Sequence, residues 1–221
     1  MMARKVPIAV LISGSGTNLQ AIIDAIEANT LDAEIRIVLS NRGDAFGLTR
    51  AKNHRLRTEV LDHKNFASRE EFDLGIVQLL QASGVELVCL AGFMRLISPV
   101  FIRAYSNRIM NIHPALLPAF PGLHAQRQAA RYGVRFAGCT VHFVNEDCDQ
   151  GPIIIQAVVP SFPDDTEDSL AARILKQEHV IYPRAIQLYS EGRLRVEGRI
   201  VFIDGLRKEP ELALVQPALQ E

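Results

Sequence analysis

The sequence predicts an α/β fold, with a mostly parallel sheet that carries helices on both faces and an antiparallel C-terminal part. Two observations predict it. The first half of the chain alternates short apolar runs with amphipathic helical patterns, which is typical of parallel strands joined by helices. In the second half, two apolar runs are separated only by the acidic loop "NEDCDQ", a spacing that suits an antiparallel pair.

Five strands are predicted in the first half. Short runs rich in Val, Ile and Leu are typical of strands that are buried on both faces of a sheet. The predicted strands cover 6–13, 34–40, 58–62, 85–92 and 108–112.

Four helices are predicted between these strands, at 18–29, near 45–53, at 68–83 and at 98–105. Two of them carry start signals. Ser68 and Glu71 have the spacing of a capping box, and Ser98 precedes Pro99 as an N-cap precedes a first helical proline.

The second half predicts strands at 137–144 and 151–160, a long helix at 166–192 and a closing hairpin at 194–205 that turns at Glu197 and Gly198. No linker rich in Pro, Gly or Ser divides the chain. We therefore predict one domain over 1–205, with a nucleotide-fold half at about 1–105 and a mixed half at about 106–205, followed by a tail at 206–221.

Composition excludes several classes of protein. The 221 residues are 48% hydrophobic and 22% charged, and the net charge is −1, so no bulk field attracts nucleic acid or a membrane surface. The three cysteines, Cys89, Cys139 and Cys148, form no CxxC pattern, which indicates neither a zinc site nor a disulfide framework. The sequence has no signal-peptide pattern and no apolar run of membrane-spanning length, so we predict a cytoplasmic protein.

The loop "SGSGTN" lies between the first predicted strand and the first predicted helix. Glycines allow a ligand close to the backbone, and a helix start binds anions. Leu19 replaces the third glycine of a dinucleotide loop, and the second strand is followed by no ribose-binding acid, so a phosphate monoester fits better than NAD. The alternative is that Thr17–Gln20 is only a capping box and that the glycines only form a turn.

Asn111 and His113 lie at the end of the fifth strand, in "RIMNIHPALLPAFPG". Residues two apart on a strand point to the same side, and ligands bind at the carboxyl ends of strands in open α/β sheets. The prolines that follow would stiffen the next loop and hold the pair in place. Alternatively, His113 is a core histidine and Asn111 a turn residue.

An acid and a second imidazole follow in the chain. Asp149 lies in a loop before a strong strand, and His142 lies within an otherwise apolar strand. A carboxylate near His113 would fix its tautomer and stabilise its charged form. The pattern cannot choose between Glu146, Asp147 and Asp149 for this role.

Six segments together carry a specific resemblance: "ISGSGTNLQAI", "LAGFMRLISP", "NIHPALLPAFPG", "GCTVHFV", "DQGPIIIQ" and "QEHVIYP". Over about residues 7–205 the chain resembles the phosphoribosylglycinamide formyltransferase family. The resemblance implies a Rossmann-like formyltransferase fold. It also implies transfer of a formyl group from the co-substrate 10-formyltetrahydrofolate to the amine of glycinamide ribonucleotide, in de novo purine biosynthesis and without a metal.

The resemblance also implies site residues, with a phosphate-binding N-terminal half and a folate-binding, catalytic C-terminal half. The implied catalytic residues are Asn111, His113 and Asp149, supported by His142. The implied ribonucleotide contacts are Gly16, Thr17, Asn18 and Glu178. The implied folate contacts are Arg69, Met94, Arg95, Leu96 and Ile97. Two positions depart from the family pattern: Ala115 replaces a common Ser, and Cys148 replaces an aliphatic residue.

Asn111 and His113 have the chemistry that formyl transfer requires. Attack by an amine produces an oxyanion, to which the Asn111 amide and a protonated His113 can both donate. His113, tuned by Asp149, is the candidate general acid and base. The partners are expected to be the two small substrates, and the sequence leaves both a monomer and a homodimer open.

Other functions predict other features. A formyltetrahydrofolate hydrolase could use the same three residues, but it would be expected to carry an N-terminal regulatory domain, whereas the first predicted strand begins near Val6. An aminoacyl-tRNA formyltransferase would be expected to have an RNA-binding domain and more basic charge. A non-catalytic nucleotide-binding module would not need Asn111, His113 and Asp149 together.

Overall fold

The computed structural model of the protein describes residues 4–206 and 214–216, so most of the predicted tail at 206–221 lies outside the described residues. The strands are β1 (Val6–Ile12), β2 (Ala33–Ser40), β3 (Thr58–Val60), β4 (Leu87–Leu90), β5 (Ile109–His113), β6 (Phe136–Phe143), β7 (Ile153–Pro160), β8 (Leu194–Glu197) and β9 (Ile200–Ile203). The helices are α1 (Thr17–Glu27), α2 (Phe46–Asn53), α3 (Arg69–Ala82), α4 (Pro99–Ala104), α5 (Ala125–Tyr132) and α6 (Glu167–Ser190), with a 3₁₀ turn at His63–Asn65.

The described strands form one sheet in the order β3-β2-β1-β4-β5-β6-β7-β9-β8. The first five strands are parallel, and β6 runs antiparallel to both β5 and β7. The C-terminal hairpin of β8 and β9 extends the sheet beside β7. This topology confirms the predicted α/β class, the mostly parallel sheet and the antiparallel C-terminal part.

Helices cover both faces of the sheet because alternate strand residues point to opposite sides. In β1, Ile8 and Val10 belong to a core that α1, α2, α5 and α6 complete. Ala9 and Leu11 belong to a second core that α3 and α4 complete. The predicted elements agree with the observed ones to within about two residues at each end, the usual uncertainty of such boundaries.

Helix α5 is the element that the sequence reading did not predict. Its sequence, "AQRQAARY", buries only Ala125 and Ala129, so its buried side consists of two small side chains and carries none of the large apolar residues that mark the other helices. Residues with positive φ bound it, since His124 has φ 58° and Gly133 has φ 77°.

The start signals predicted for α3 and α4 are only partly formed in the structure. Ser68 Oγ accepts from Glu71 N at 3.1 Å, but the Glu71 carboxylate accepts from Ala67 N and not from Ser68 N, so only half of the capping box forms. Ser98 does precede the first helical residue, Pro99, but its side chain makes no cap bond.

The single domain over 1–205 and its two halves, about 1–105 and 106–205, stay a prediction. The single domain is supported by the sheet, which continues across the boundary between the two halves because β4 and β5 pair directly. Within the described part of the chain, no helix is both long enough and apolar enough to cross a membrane.

Candidate active site

Asn111 and His113 lie on β5, the strand at which the sheet changes from parallel to antiparallel pairing. Asn111 is paired with His142 of β6, and directly opposed residues of antiparallel strands share a face. The Asn111 amide nitrogen lies 3.2 Å from His142 Nε2. The neighbouring strands therefore place a carboxamide and two imidazoles within one small region.

Asp149, in the loop between β6 and β7, completes this group. Its Oδ2 lies 3.4 Å from His113 Nδ1, and its Oδ1 lies 3.8 Å from His142 Nε2. Asp149 has φ 54°, and Gly122 N donates to its Oδ2 at 2.8 Å. Glu146 and Asp147 are exposed, so Asp149 is the acid of this loop that faces His113.

Both ring nitrogens of the buried His113 face acceptors. Nε2 lies 2.9 Å from the Phe120 carbonyl oxygen, which can only accept, so Nε2 carries a proton. Nδ1 faces the Asp149 carboxylate at ion-pair distance. This environment can therefore hold the doubly protonated imidazolium, with one acceptor for each N–H.

His142 is held in the neutral form instead. Its Nδ1 donates to the Phe143 carbonyl at 2.9 Å, which leaves Nε2 to accept from the Asn111 amide. Burial lowers the pKa of His142, because the charged form would lose its hydration. The neutral ring orients the Asn111 carboxamide, and the second amide hydrogen of Asn111 is left for another acceptor.

The loop after β5 is positioned by polar side chains that the sequence reading missed. Thr140 Oγ1 donates to the Ala115 carbonyl at 2.7 Å and accepts from Leu117 N at 3.1 Å. Gln156 Nε2 donates to the Leu117 carbonyl at 2.9 Å. Polar residues inside the apolar strands β6 and β7 were the available signal. The same loop supplies the Phe120 carbonyl to His113.

Gly16 forms the turn into α1 in a conformation that favours glycine. Its φ is 69°, and a Cβ atom there would lie 2.6 Å from Gly47 Cα. Gly16 occupies the N-cap position without a side-chain cap, and Gln20 donates to Asp24. The capping box considered for Thr17–Gln20 is therefore not formed, and side-chain capping does not occupy the N–H groups at this helix start.

Asn18 and Glu178 meet although they are far apart in the chain. Asn18 Nδ2 donates to Glu178 Oε2 at 2.7 Å, which joins the start of α1 to α6. Burial raises the pKa of Glu178, and the Asn18 hydrogen bond opposes that shift. Asn18 Oδ1 is buried and has no hydrogen-bond partner among the described residues. This oxygen is a candidate acceptor for a ligand hydroxyl.

Residues 94–97, here called the 94–97 segment, follow β4. They lie beside Asn111, His113 and Asp149, here called the trio, because Leu90 of β4 is paired with Asn111. Met94 and Leu96 are 65% and 63% exposed, so two large apolar side chains of this segment are available for contact with a ligand. Ser13 holds the segment: its Oγ accepts from Met94 N at 2.8 Å and donates to Asn41 Oδ1 at 2.6 Å. The sequence reading missed Ser13 and Asn41.

The other predicted folate residues lie at the same end of the sheet. Arg95 Nε is buried without a partner in the described part of the chain, and Ile97 packs against the core formed with α3 and α4. Arg69 is the first residue of α3 and lies one helical turn before Asp73. The Asp73 carboxylate accepts a hydrogen bond from the backbone N–H of Ser98, the residue that follows the 94–97 segment. Arg69 therefore lies near this segment.

The two departures from the family pattern differ in their surroundings. Ala115 is buried and acts through its backbone carbonyl, which accepts from Thr140. Cys148 is exposed, and its Sγ lies 3.6 Å from Asp149 Oδ2. Among the described residues, no group of three or more His, Cys, Asp or Glu side chains could hold a metal ion.

Comparison with known proteins defines the class. Residues 6–186 match the family model described as "Formyl transferase". The chain belongs to the formyl transferase family.

Two relatives within this family are similar to most of this chain. The chain is 46% identical over 204 residues to phosphoribosylglycinamide formyltransferase of Escherichia coli, covering 92% of this chain and 96% of the relative. It is 50% identical over 191 residues to the trifunctional purine biosynthetic protein adenosine-3 of Drosophila melanogaster, covering 86% of this chain and 14% of that longer protein.

Solved structures agree with these relatives. Glycinamide ribonucleotide transformylase 1 of Symbiobacterium toebii superposes with a TM-score of 0.89 at 53% identity, covering 90% of this chain and 94% of that one. Phosphoribosylglycinamide formyltransferase of Coxiella burnetii gives a TM-score of 0.87 at 43% identity, covering 91% and 95% of the two chains. The predicted resemblance to phosphoribosylglycinamide formyltransferases is confirmed.

Proposed function

We propose that this protein is an enzyme that transfers a formyl group from 10-formyltetrahydrofolate to the amine of glycinamide ribonucleotide in purine biosynthesis. The observation that carries the proposal is the convergence of Asn111, His113 and Asp149 at one end of the sheet. The relatives named as phosphoribosylglycinamide formyltransferases support the choice of substrates.

Asn111 and His113 are proposed to stabilise the oxyanion that forms when the amine attacks the formyl carbon. Asn111 keeps one amide hydrogen free after its contact with His142. A charged His113 would donate its Nε2–H to the oxyanion in place of its contact with the Phe120 carbonyl, while its Nδ1–H keeps facing Asp149. Removing one such donor typically lowers the rate about 10²- to 10³-fold. His142 supports the pair by orienting the Asn111 amide.

His113 and Asp149 are proposed to manage the protons. The attacking amine forms a bond to the formyl carbon and loses a proton, while the bond from that carbon to N10 of the folate breaks and N10 gains a proton. General acid and base catalysis of such a step typically contributes about 10²- to 10⁴-fold. Asp149 lies close enough to balance the imidazolium charge.

The binding residues divide between the two substrates. Gly16, Thr17 and Asn18 are proposed to bind the ribonucleotide phosphate at the start of α1, with Glu178 nearby on α6. The exposed side chains of the 94–97 segment are proposed to contact the folate ring, together with Arg69. Holding both substrates beside the trio lowers the entropic part of the activation barrier.

A cytoplasmic location of the protein also stays a proposal.

The proposed function predicts that turnover depends on the acceptor. Loss of the formyl group from 10-formyltetrahydrofolate is followed by absorbance with and without glycinamide ribonucleotide. We expect turnover only with the ribonucleotide, and a loss of about 10²-fold or more in kcat for His113→Asn. Equal rates with and without the acceptor would indicate a hydrolase instead. Binding of both substrates without any turnover would indicate a non-catalytic module.

A further inference from the structure

Buried side chains hold the backbone at both ends of the 94–97 segment. At the first residue, Met94 N donates to Ser13 Oγ at 2.8 Å. Directly after the last residue, Ser98 N donates to the Asp73 carboxylate. Ser13 is 8% exposed, and Asp73 and Ser98 are fully buried, so water does not compete for either contact.

The two acceptors are anchored in separate parts of the fold. Ser13 directly follows β1, and its hydroxyl donates at 2.6 Å to Oδ1 of Asn41, which directly follows β2. Asp73 lies on α3 beside Phe72, and both side chains are buried there. The ends of the 94–97 segment are therefore fixed by the sheet on one side and by a packed helix on the other.

The side chains between these fixed ends diverge. Phe93 is buried, and Ile97 packs against the core that α3 and α4 complete, whereas Met94 and Leu96 are exposed. Removal of apolar surface from water is favourable, so a free segment would gain by folding these two side chains inward. The held backbone keeps them directed toward solvent, where a ligand can contact them.

Asp73 is an unfavourable residue to bury for packing alone. Its Oδ1 has no hydrogen-bond partner among the described residues, and burial raises the pKa of Asp73. The Ser98 N–H and the charge of Arg69 oppose that pKa shift. A buried carboxylate with one unpaired oxygen is costly, which calls for an explanation beyond packing. Arg69 is itself a proposed folate contact, so the Asp73 carboxylate lies between two parts of the proposed folate-binding region.

We propose that Asp73 and Ser13 are positioning residues for the folate: they hold the 94–97 segment in its binding conformation before the folate arrives. This inference rests on the proposed function. Ordering a backbone segment carries an entropic cost, and a segment that is already ordered in the free protein avoids that cost on binding. The competing explanation is structural: Asp73 only caps α4, because Ser98 N belongs to the N–H groups at a helix start that lack an intrahelical partner.

The test compares KM for 10-formyltetrahydrofolate with KM for glycinamide ribonucleotide. In Asp73→Ala we expect the folate KM to rise about 10- to 100-fold, the range that hydrogen bonds to charged groups contribute, and the ribonucleotide KM to rise less than about threefold. Asp73→Asn keeps an oxygen that can accept from Ser98 N, so its folate KM should stay within about threefold of the wild type, since only the charge of the contact is lost.

Thr166→Ala is the matched control, because Thr166 Oγ1 also accepts from a backbone N–H at a helix start, that of Ser169 at 3.1 Å on α6. It should lower the free energy of unfolding, as loss of a cap does, and leave both KM values within about twofold. If Asp73→Ala behaves like this control, or raises both KM values equally, Asp73 is only a cap and the proposal is overturned.

A binding measurement separates this inference from the proposed function. Calorimetry measures the affinity for tetrahydrofolate, the product of the proposed reaction, in the wild type, Asp73→Ala and Ser13→Ala. Ser13→Ala releases the other end of the 94–97 segment, so it tests the proposal even if Asp73→Ala does not fold. We expect each folded variant to bind tetrahydrofolate about 10-fold or more weakly than the wild type.

The two proposals can fail separately. If the wild type turns over no substrate but binds tetrahydrofolate, and the variants bind it more weakly, the proposed function fails and the positioning role stands. If formyl transfer occurs but the variants bind tetrahydrofolate as tightly as the wild type, the proposed function stands and the positioning role is overturned. No affinity for tetrahydrofolate in the wild type would overturn the positioning role in either case.

Discussion

Asp149 contacts three groups that meet at the site. It faces His113 and His142 with different carboxylate oxygens, and it accepts from Gly122 N. Its positive φ turns the side chain inward from a loop whose other acids, Glu146 and Asp147, are exposed. The loop conformation therefore selects one acid out of three, and a local sequence pattern carries no signal for that conformation.

Asp149→Asn should lower kcat about 10²- to 10⁴-fold, the contribution typical of acid–base catalysis. The amide oxygen of Asn can still accept from Gly122 N, so the loop should stay in place, and substrate affinities should change much less than kcat. Steady-state kinetics with each substrate varied in turn measure this split.

Asp147→Asn is the matched control, because Asp147 is exposed in the same loop. It should leave kcat within about twofold, as substitutions at exposed sites usually do. A large loss of kcat in Asp147→Asn, together with a small one in Asp149→Asn, would mean that the acid has been assigned wrongly.

Secondary-structure elements were predictable where apolar periodicity is strong. Strand β1 and helix α6 bury many apolar residues at the spacing expected for a strand and a helix. The predicted bounds of both elements lie within about two residues of the observed ones. Helix α5 was missed because it packs through two alanines. The second bond of the capping box predicted for α3 was wrong, because the Glu71 carboxylate accepts from Ala67 N and not from Ser68 N.

The turn into α1 allows a test with two glycines of the same loop. Gly16 has positive φ and approaches Gly47, whereas Gly14 lies outside the left-handed region and a Cβ atom there would meet no atom within 4 Å. Gly16→Ala should lower the free energy of unfolding by about 2 kcal/mol, because a left-handed conformation costs about 1–2 kcal/mol and the contact adds strain.

Gly14→Ala should change the free energy of unfolding by less than about 1 kcal/mol, and a small stabilisation is expected if the reduced freedom of the unfolded chain dominates. Urea unfolding of both variants measures the difference. Equal destabilisation by the two substitutions would show that the close approach of α1 and α2 does not depend on Gly16.

Long-range contacts assemble the site at the scale of the whole molecule. Asn18 meets Glu178, and Ser13 joins Met94 to Asn41. Motifs identified these segments one at a time, but hydrophobic periodicity does not encode which of them meet. Ser13 lies within the motif "ISGSGTNLQAI", but its contacts with Met94 and Asn41 became visible only when the strand order was known.

Tyr182 connects α6 to the strands that carry the site. Its hydroxyl lies 3.0 Å from the carbonyl oxygens of Leu90, the last residue of β4, and of Met110, within β5. Leu90 leads into the loop of the 94–97 segment, and Met110 precedes Asn111. The hydroxyl therefore stabilises the packing of α6 beside the 94–97 segment and Asn111.

Two fully buried tyrosines test this role. Tyr182→Phe should lower the free energy of unfolding by about 1 kcal/mol, because it removes a buried hydrogen bond. The Tyr105 hydroxyl is buried without a partner among the described residues, so Tyr105→Phe should cost nothing or stabilise the protein by up to about 1 kcal/mol, since an unpaired buried hydroxyl is itself unfavourable. The two rings bury similar apolar area, so urea unfolding at one pH isolates the contribution of the hydroxyl. If Tyr105→Phe proved as costly as Tyr182→Phe, the bridge from α6 to β4 and β5 would have no special share in the stability of the fold.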